Sequence, residues 1–407
     1  MPALAQLRVH ARLDDVHKIA VLRPNAVGDF VFALPALHAL KHSYPEAEIV
    51  LLGKPWHADF LRGRPGPVDR VVVMPKVAGV GAPVDAVCDE DEVARFVEAM
   101  REERFDIALQ MFGAGHYSNP FLARLDARLS VGARADGAPA LERWVPYCEP
   151  NNRRLALLEI AALAGASAGP APKPTPGLFS PSPSASPSPP MAAPLRPPLP
   201  PLLLPPLPEL TVTDADRLEA ILAVPQAADE RLAVLQPGST DPRRCWPPER
   251  FAALGDRLAQ AGMRVAVNGS AAEAALVDAV VGSMREPALA LGGKLGLGGL
   301  CGLLERAALV VSNDTGPLHL ALALGVPSVG IFWLTNLVEG MPLRQSGLRA
   351  ALSLQTRCPV CGQDNVASRC GHDASFVAEV SVEQVERLAA SLLHPPPDSP
   401  HPPPSHQ

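Results

Sequence analysis

The sequence predicts an α/β protein of two similar halves that face each other across a cleft. Three observations carry that expectation. Short apolar runs such as KIAVL (Lys18 to Leu22) alternate with helix-length stretches, the pattern that parallel strands joined by right-handed crossovers leave in a sequence. The pattern stops at a proline-rich stretch and then starts again. Finally, 47% of the 407 residues are hydrophobic and 19% are charged, enough to bury a sizeable core.

In the first half, strands are expected at Lys18 to Leu22, Glu48 to Leu52, Arg70 to Val73 and Phe105 to Met111. Helices are expected at Phe30 to Ser43, Glu92 to Glu103 and Asn152 to Ala164. Seventeen of the 47 prolines then fall between Pro170 and Pro208, and seven more between Pro395 and Pro404. Proline removes backbone donors and blocks helix and sheet alike, so residues 168–208 read as a flexible linker and 395–407 as a disordered tail. In the second half, Thr213 to Leu222 is a helix with Thr213 as its cap. Strands follow at Arg231 to Leu235, Arg264 to Asn268, Leu309 to Ser312 and Ser328 to Phe332. Helices are expected at Pro248 to Ala261, Ala271 to Val281, Gly299 to Ala307 and Gly316 to Leu324. The domains are thus expected at 17–167 and 209–394.

Charge excludes one class of partner. Thirty-six basic residues against 42 acidic ones leave a net of −6 with no polybasic block, so nucleic acid is not an expected partner. No run of 18 apolar residues exists. The opening MPALAQLRVHARLDD lacks the apolar centre of a signal peptide. A cytoplasmic protein whose seven cysteines stay reduced is the expectation.

Ligands of such sheets bind at the carboxyl ends of the strands, so the loops there are the places to look. Arg23 and Asp29 flank the turn RPNAVGDF after the first strand, where Gly28 permits a tight turn and Asp29 opens a helix at the mouth of the cleft, on the plainest reading as its cap. In LQPGSTDPRRCWPPERF, Ser239 and Thr240 offer hydroxyls and Arg243 and Arg244 offer charge, a set suited to phosphate. In SNDTGPLHLALALGVPSVGIF, Asp314 and Thr315 make a turn, Gly316 lets backbone approach a ligand, and His319 lies one turn into a helix whose start can hold an anion. Cys358, Cys361, Cys370 and His372 in CPVCGQDNVASRCGH could hold a structural zinc. Two patterns carry less. Asp89, Glu90 and Asp91 read as a solvated helix start rather than a metal site, and the glycines of GGKLGLGGLCG (Gly292 to Gly302) as a loop, because no convincing strand precedes them.

Together the three loop segments resemble glycosyltransferase family 9, the heptosyltransferases that build the inner core of lipopolysaccharide. The D-T-G-x-x-H-x-A-x-A-x-G-x-P run from Asp314 is the most specific match, and the likeness covers about residues 17–165 and 210–340. The resemblance implies a GT-B fold of two Rossmann-like domains, acceptor on the first and nucleotide-sugar on the second. It implies an inverting transferase that needs no metal for the transfer. The donor would be a nucleotide-diphosphate sugar such as ADP-heptose, and the acceptor a lipopolysaccharide core or other glycan. Such an enzyme could work in peripheral contact with the inner face of the cytoplasmic membrane. By match of position, Asp29 is the general base and Arg23 helps to hold the reacting charges. Ser239, Thr240 and Arg244 form the diphosphate loop, and Glu273 contacts the nucleoside. Asp314, Thr315, Gly316 and His319 bind the donor. The proline-rich insert is not a family feature. The competing readings are a non-catalytic nucleotide-sugar or glycan-binding relative and, on the glycine pattern alone, an NAD-dependent oxidoreductase.

Overall fold

The structure, a computed structural model, describes residues 12–166, 207–225, 230–344, 347–366 and 368–394. The tail expected at 395–407, and the linker expected at 168–208 up to residue 206, lie outside the described residues.

The first half runs β1 (Lys18–Leu22), α1 (Val27–Ser43), β2 (Glu48–Gly53), α2 (Pro55–Leu61) and β3 (Arg70–Val73). Two short strands follow, β4 (Val77–Ala78) and β5 (Gly81–Ala82), then α3 (Glu90–Glu102) and β6 (Ile107–Gln110). α4 (Ser118–Ala123), β7 (Leu129–Arg134), β8 (Arg143–Pro146) and α5 (Arg153–Leu163) complete it. The second half opens with α6 (Asp214–Ala223), β9 (Leu232–Gln236), α7 (Pro248–Gln260), β10 (Arg264–Gly269) and α8 (Ala274–Ser283). It continues through β11 (Ala288–Gly292), α9 (Leu297–Glu305), β12 (Ala307–Asn313), α10 (Gly316–Ala323) and β13 (Ser328–Trp333). It ends with α11 (Leu334–Gly340), β14 (Leu348–Ser353) and α12 (Val382–Leu393).

Each half builds one six-stranded sheet, in the orders β3-β2-β1-β6-β7-β8 and β11-β10-β9-β12-β13-β14. Every neighbouring pair in both sheets is parallel. Both therefore follow the Rossmann order third-second-first-fourth-fifth-sixth, whose switch points fall between β1 and β6 and between β9 and β12. Sheets covered by helices on both faces need strands apolar throughout. Ile19, Ala20, Val21 and Leu22 of β1 and Leu232 through Leu235 of β9 are accordingly all fully buried.

The halves are packed on each other. One hydrophobic cluster runs from Ile19 and Leu37 in the first half to Leu303, Leu320 and Val326 in the second. Polar ties accompany it: Arg64 donates to Asp216 at 2.6 Å and to the Thr211 carbonyl at 2.6 Å, and His38 meets the Glu209 carbonyl at 2.8 Å.

Some local expectations need correction. α1 starts at Val27 rather than Phe30, with Ala26 as its cap, so Asp29 lies in the first turn and caps nothing. The stretch expected as one helix from Ala271 is a 3₁₀ turn, Ala271–Glu273, followed by α8. The glycine-rich loop does follow a strand, β11, at the sheet edge. Its glycines serve packing between α9 and α6: a Cβ on Gly302 would lie 2.3 Å from the Asp216 carbonyl oxygen, and one on Gly299 would lie 2.4 Å from the Glu219 carboxyl carbon. Small residues there let two helices approach closely, which explains the pattern without a dinucleotide.

Candidate active site

At the first switch point, Arg23 follows β1 and is only 5% exposed. Its Nη1 donates to the Met111 carbonyl just beyond β6, while Nε and Nη2 donate to the Asp29 carbonyl at 3.2 and 2.8 Å. Burial pushes the guanidinium down to about 10, partly offset by Asp29, so it keeps its charge at neutral pH. The Asp29 carboxylate touches Arg23 Nη2 only at 3.4 Å, and its side chain is 39% exposed. The carboxylate thus sits beside a fixed cation with most of its acceptor capacity unused. A cleft next to Arg23 is lined by Gln110, Met111, Tyr147, Arg153 and Glu159.

At the second switch point, Asn313 ends β12 and ties the loop after β9 in place. Its Nδ2 donates to the Pro237 carbonyl at 2.6 Å and its Oδ1 accepts from the Trp246 N–H at 3.0 Å. The loop so held carries Ser239, Thr240 and Arg244. The Ser239 hydroxyl oxygen is buried without a hydrogen-bond partner, an orphan of the kind a ligand would satisfy. Arg244 lies 3.6 Å from Asp314 Oδ2 and 3.8 Å from Asp241. Glu273 lies against Gly238 of this loop, while its carboxylate accepts from the Ser270 N–H and hydroxyl of its own turn, both at 2.8 Å. A Cβ on Gly238 would lie 1.8 Å from a Glu273 carboxylate oxygen, so a larger residue there would push that side chain aside.

Asp314, Thr315, Gly316 and His319 gather at the start of α10. Thr315 is the N-cap residue, yet its hydroxyl makes no capping bond. His319 Nε2 meets Asp314 Oδ1 at 3.1 Å, and its ring stands edge-on to Phe32 of the first half with centroids 4.6 Å apart. Only 3% exposed, with Nδ1 lacking a partner, His319 holds Asp314 instead of facing open solvent. Burial lowers its pKa against the pull of Asp314.

The first and third loops meet directly. A Cβ on Gly28 would lie 3.3 Å from the His319 ring and 3.5 Å from the Gly316 backbone, and one on Gly316 would lie 3.2 Å from Val27. The close approach that Gly316 permits is therefore, in this structure, an approach to the other half. Asp29 and Arg23 are brought beside Asp314 and His319, with Arg244 beyond them; Thr240 stays exposed at the rim.

Sequence reasoning missed Arg154 and Arg153. Arg154, 3% exposed, donates to the Gly340 carbonyl at 2.6 Å and lies 4.6 Å over the Phe32 ring, and burial pushes it down to about 10. Arg153 pairs with Glu339 at 3.1 Å and Glu149 at 3.0 Å. The only local signal was a pair of arginines after Asn152, which caps α5.

The acidic run behaves as expected: Asp89 caps α3 by accepting from the Asp91 and Glu92 N–H groups, both at 3.0 Å. The ligand atoms of Cys358, Cys361, Cys370 and His372 all lie within 4.8 Å of one another, an arrangement that could hold a metal ion. Bonds from the His372 N–H and the Asn365 amide hold the Cys370 thiol down to about 6.

Residues 203–363 match the family described as glycosyltransferase family 9 (heptosyltransferase). The chain carries a family 9 domain. Lipopolysaccharide heptosyltransferase 3 of Escherichia coli (strain K12) is 30% identical over 116 residues, 28% of this chain and 34% of that protein. The chain thus spans about a third of the length of the curated relatives it matches. A family 9 glycosyl transferase from Veillonella parvula DSM 2008 superposes with a TM-score of 0.68 at 18% identity, over 94% of this chain and 98% of that one. The E. coli ADP-heptose lps heptosyltransferase II does so with a TM-score of 0.66 at 18% identity, over 92% and 98%. Around the family 9 domain the architecture is the GT-B fold, two Rossmann-like sheets packed through the elements that carry the candidate site. No helix among the described residues is long and apolar enough to cross a membrane.

Proposed function

We propose that the protein is an inverting glycosyltransferase that moves a sugar from a nucleotide-diphosphate donor to a glycan acceptor. The observation that carries this reading is the meeting of two loop sets from two switch points, Asp29 with Arg23 on one side and Asp314, His319 and Arg244 on the other. Asp29 takes the proton of the acceptor hydroxyl as its oxygen attacks the anomeric carbon. The bond from that carbon to the diphosphate breaks, and the leaving oxygen keeps the electron pair. Arg244, the orphaned Ser239 hydroxyl, Thr240 and the backbone of Thr315 and Gly316 at the positive end of α10 meet that charge. Attack from the Asp29 side, opposite the diphosphate, inverts the anomeric centre. Cations and backbone donors supply the charge, so the transfer step is proposed to need no metal. Glu273, close to Gly238 of the same loop, is proposed to contact the nucleoside.

The E. coli neighbour named for ADP-heptose favours that donor, and the lipopolysaccharide heptosyltransferase relatives favour a lipopolysaccharide acceptor. The transfer is proposed to act on its core, at the inner face of the cytoplasmic membrane. Turnover of ADP-, GDP- and UDP-sugars with a lipid A-core acceptor tests the reading. Asp29→Asn should lower kcat by about 100-fold or more while the Kd for ADP stays the same. Near wild-type turnover in that variant would remove Asp29 as base, and binding without turnover of any donor would favour a non-catalytic relative.

A further inference from the structure

The cysteine cluster lies in the segment after β14, and the proposed transfer makes no use of it. The Cys358–Pro359–Val360–Cys361 turn is shaped around a sulfur. The Val360 N–H points at Cys358 Sγ at 3.4 Å, the Gly362 N–H closes on the Cys358 carbonyl at 2.8 Å, and the Cys358 N–H donates to the Gln363 carbonyl at 2.9 Å. Gly362 sits at φ +74°, which glycine adopts without strain. From the other side the Asn365 amide points at Cys370 Sγ at 3.4 Å while its oxygen accepts from the Cys370 N–H at 3.1 Å. His372 Nδ1 is buried with no hydrogen-bond partner. Cys358 and Cys370 are 3% and 7% exposed.

We infer that Cys358, Cys361, Cys370 and His372 form a closed, four-coordinate zinc site. Tetrahedral ligands about 2.3 Å from a zinc ion lie roughly 3.5–4 Å from each other, so the present spacing closes with shifts of about 1 Å or less. Three thiolates with one imidazole is a ligand set that structural zinc takes. A disulfide would use two sulfurs and leave a third thiol and the orphaned imidazole nitrogen without a role. N–H groups aimed at the sulfurs are the outer contacts that stabilise metal-bound thiolates. The ion would fasten this segment to the loop that carries Arg244. The Phe376 N–H donates to the Arg243 carbonyl at 2.8 Å, the Ser375 hydroxyl to the Cys245 carbonyl at 2.7 Å, and Arg243 Nη1 to Asn365 Oδ1 at 3.3 Å. That last consequence rests on the proposed donor site; the zinc site itself does not.

The test is elemental analysis of the full chain purified without added metal. About one zinc per chain is expected, lost in Cys370→Ser and in His372→Ala and kept in Cys88→Ser and Cys148→Ser. Iron in place of zinc, or no metal together with a disulfide among these cysteines, overturns the assignment. Should the two ligand variants fail to fold, cobalt exchange into the wild-type chain decides the matter. Tetrahedral cobalt–thiolate absorption supports the site, and its absence overturns it. Stripping zinc with a chelator should weaken ADP binding about tenfold, the effect of misplacing one charge-assisted contact such as that of Arg244. Unchanged ADP affinity after stripping would overturn the link to the donor loop while leaving the metal site standing.

Discussion

Arg244 stands between two acids, Asp241 and Asp314, and so is positioned by charge before any ligand arrives. A charge-assisted bond to a diphosphate is worth about 1.5–3 kcal/mol. Arg244→Ala should therefore weaken ADP binding by roughly 10- to 100-fold by calorimetric titration. High salt should narrow the gap between variant and wild type, because the partly exposed pair is screened. Equal affinity in the two proteins would place the diphosphate elsewhere. His57 offers a second test at this scale. It is fully buried, its Nδ1 accepts from the Lys54 N–H at 3.0 Å, and its ring stacks on Trp56. Burial pushes its pKa down to about 4. The unfolded chain binds this proton near pH 6.5 and the folded chain only near 4, so the unfolded state is favoured as pH falls through that window. His57→Phe should remove a slope amounting to roughly 3 kcal/mol across it. Denaturant melts of both proteins at pH 7 and pH 4.5 measure the difference, and parallel pH profiles would refute the assignment.

Among elements, α6 does two jobs. It packs on α9 through Gly299 and Gly302, and its Asp216 receives Arg64 from the first half. Burial raises the Asp216 carboxyl, but Arg64 and Thr213 outweigh it, and the pKa ends below the ordinary value. Its contribution is thus present above the ordinary carboxylate range and is lost as pH falls through the lowered value. Both side chains are nearly inaccessible, at 4% and 8% exposed. Asp216→Asn should cost about 3–5 kcal/mol, the range for leaving one charge of a buried pair without its partner, read as a fall in the denaturation midpoint. Arg64→Met with Asp216→Leu should recover much of that loss. A single variant as stable as wild type would mean that water or another side chain replaces the pair.

For the whole molecule, the shared hydrophobic cluster predicts cooperative unfolding. Residues from Ile19 to Val326 bury one continuous apolar body, and Arg153, Arg154 and Asn152 add bonds from α5 to the α11 region. Separating the halves would expose much of that body, so both sheets should melt in one transition, with calorimetric and van't Hoff enthalpies equal. Two resolved transitions would show that the contact between halves is weak. ADP at 100 times its Kd should raise stability by about 2.7 kcal/mol and shift that one transition as a unit.

The strands, their parallel pairing and the loops that carry the candidate site were legible in the sequence, because a strand buried on both faces must be apolar throughout and its ends must turn. Lys18 to Leu22 was read to the residue for that reason. The edge strands β8, β11 and β14 were not, and neither was the inner strand β7, whose LSVGAR run is interrupted by Ser130, Gly132 and Arg134. With intermediate burial alternating along them, Arg143–Pro146 and Leu348–Ser353 carry no uniform apolar signal. Which loops lie on which side of the molecule was likewise beyond the sequence. The residue types at Asp29, Arg244, Asp314 and His319 were determined by the sequence alone. The meeting of Gly28 with Gly316, the burial of His319 against Phe32, and the roles of Arg154 and of the Arg64–Asp216 pair were decided only by the tertiary structure. These are contacts between residues more than 100 positions apart, and their energy depends on solvent exclusion and on distance, neither of which exists until the two halves pack.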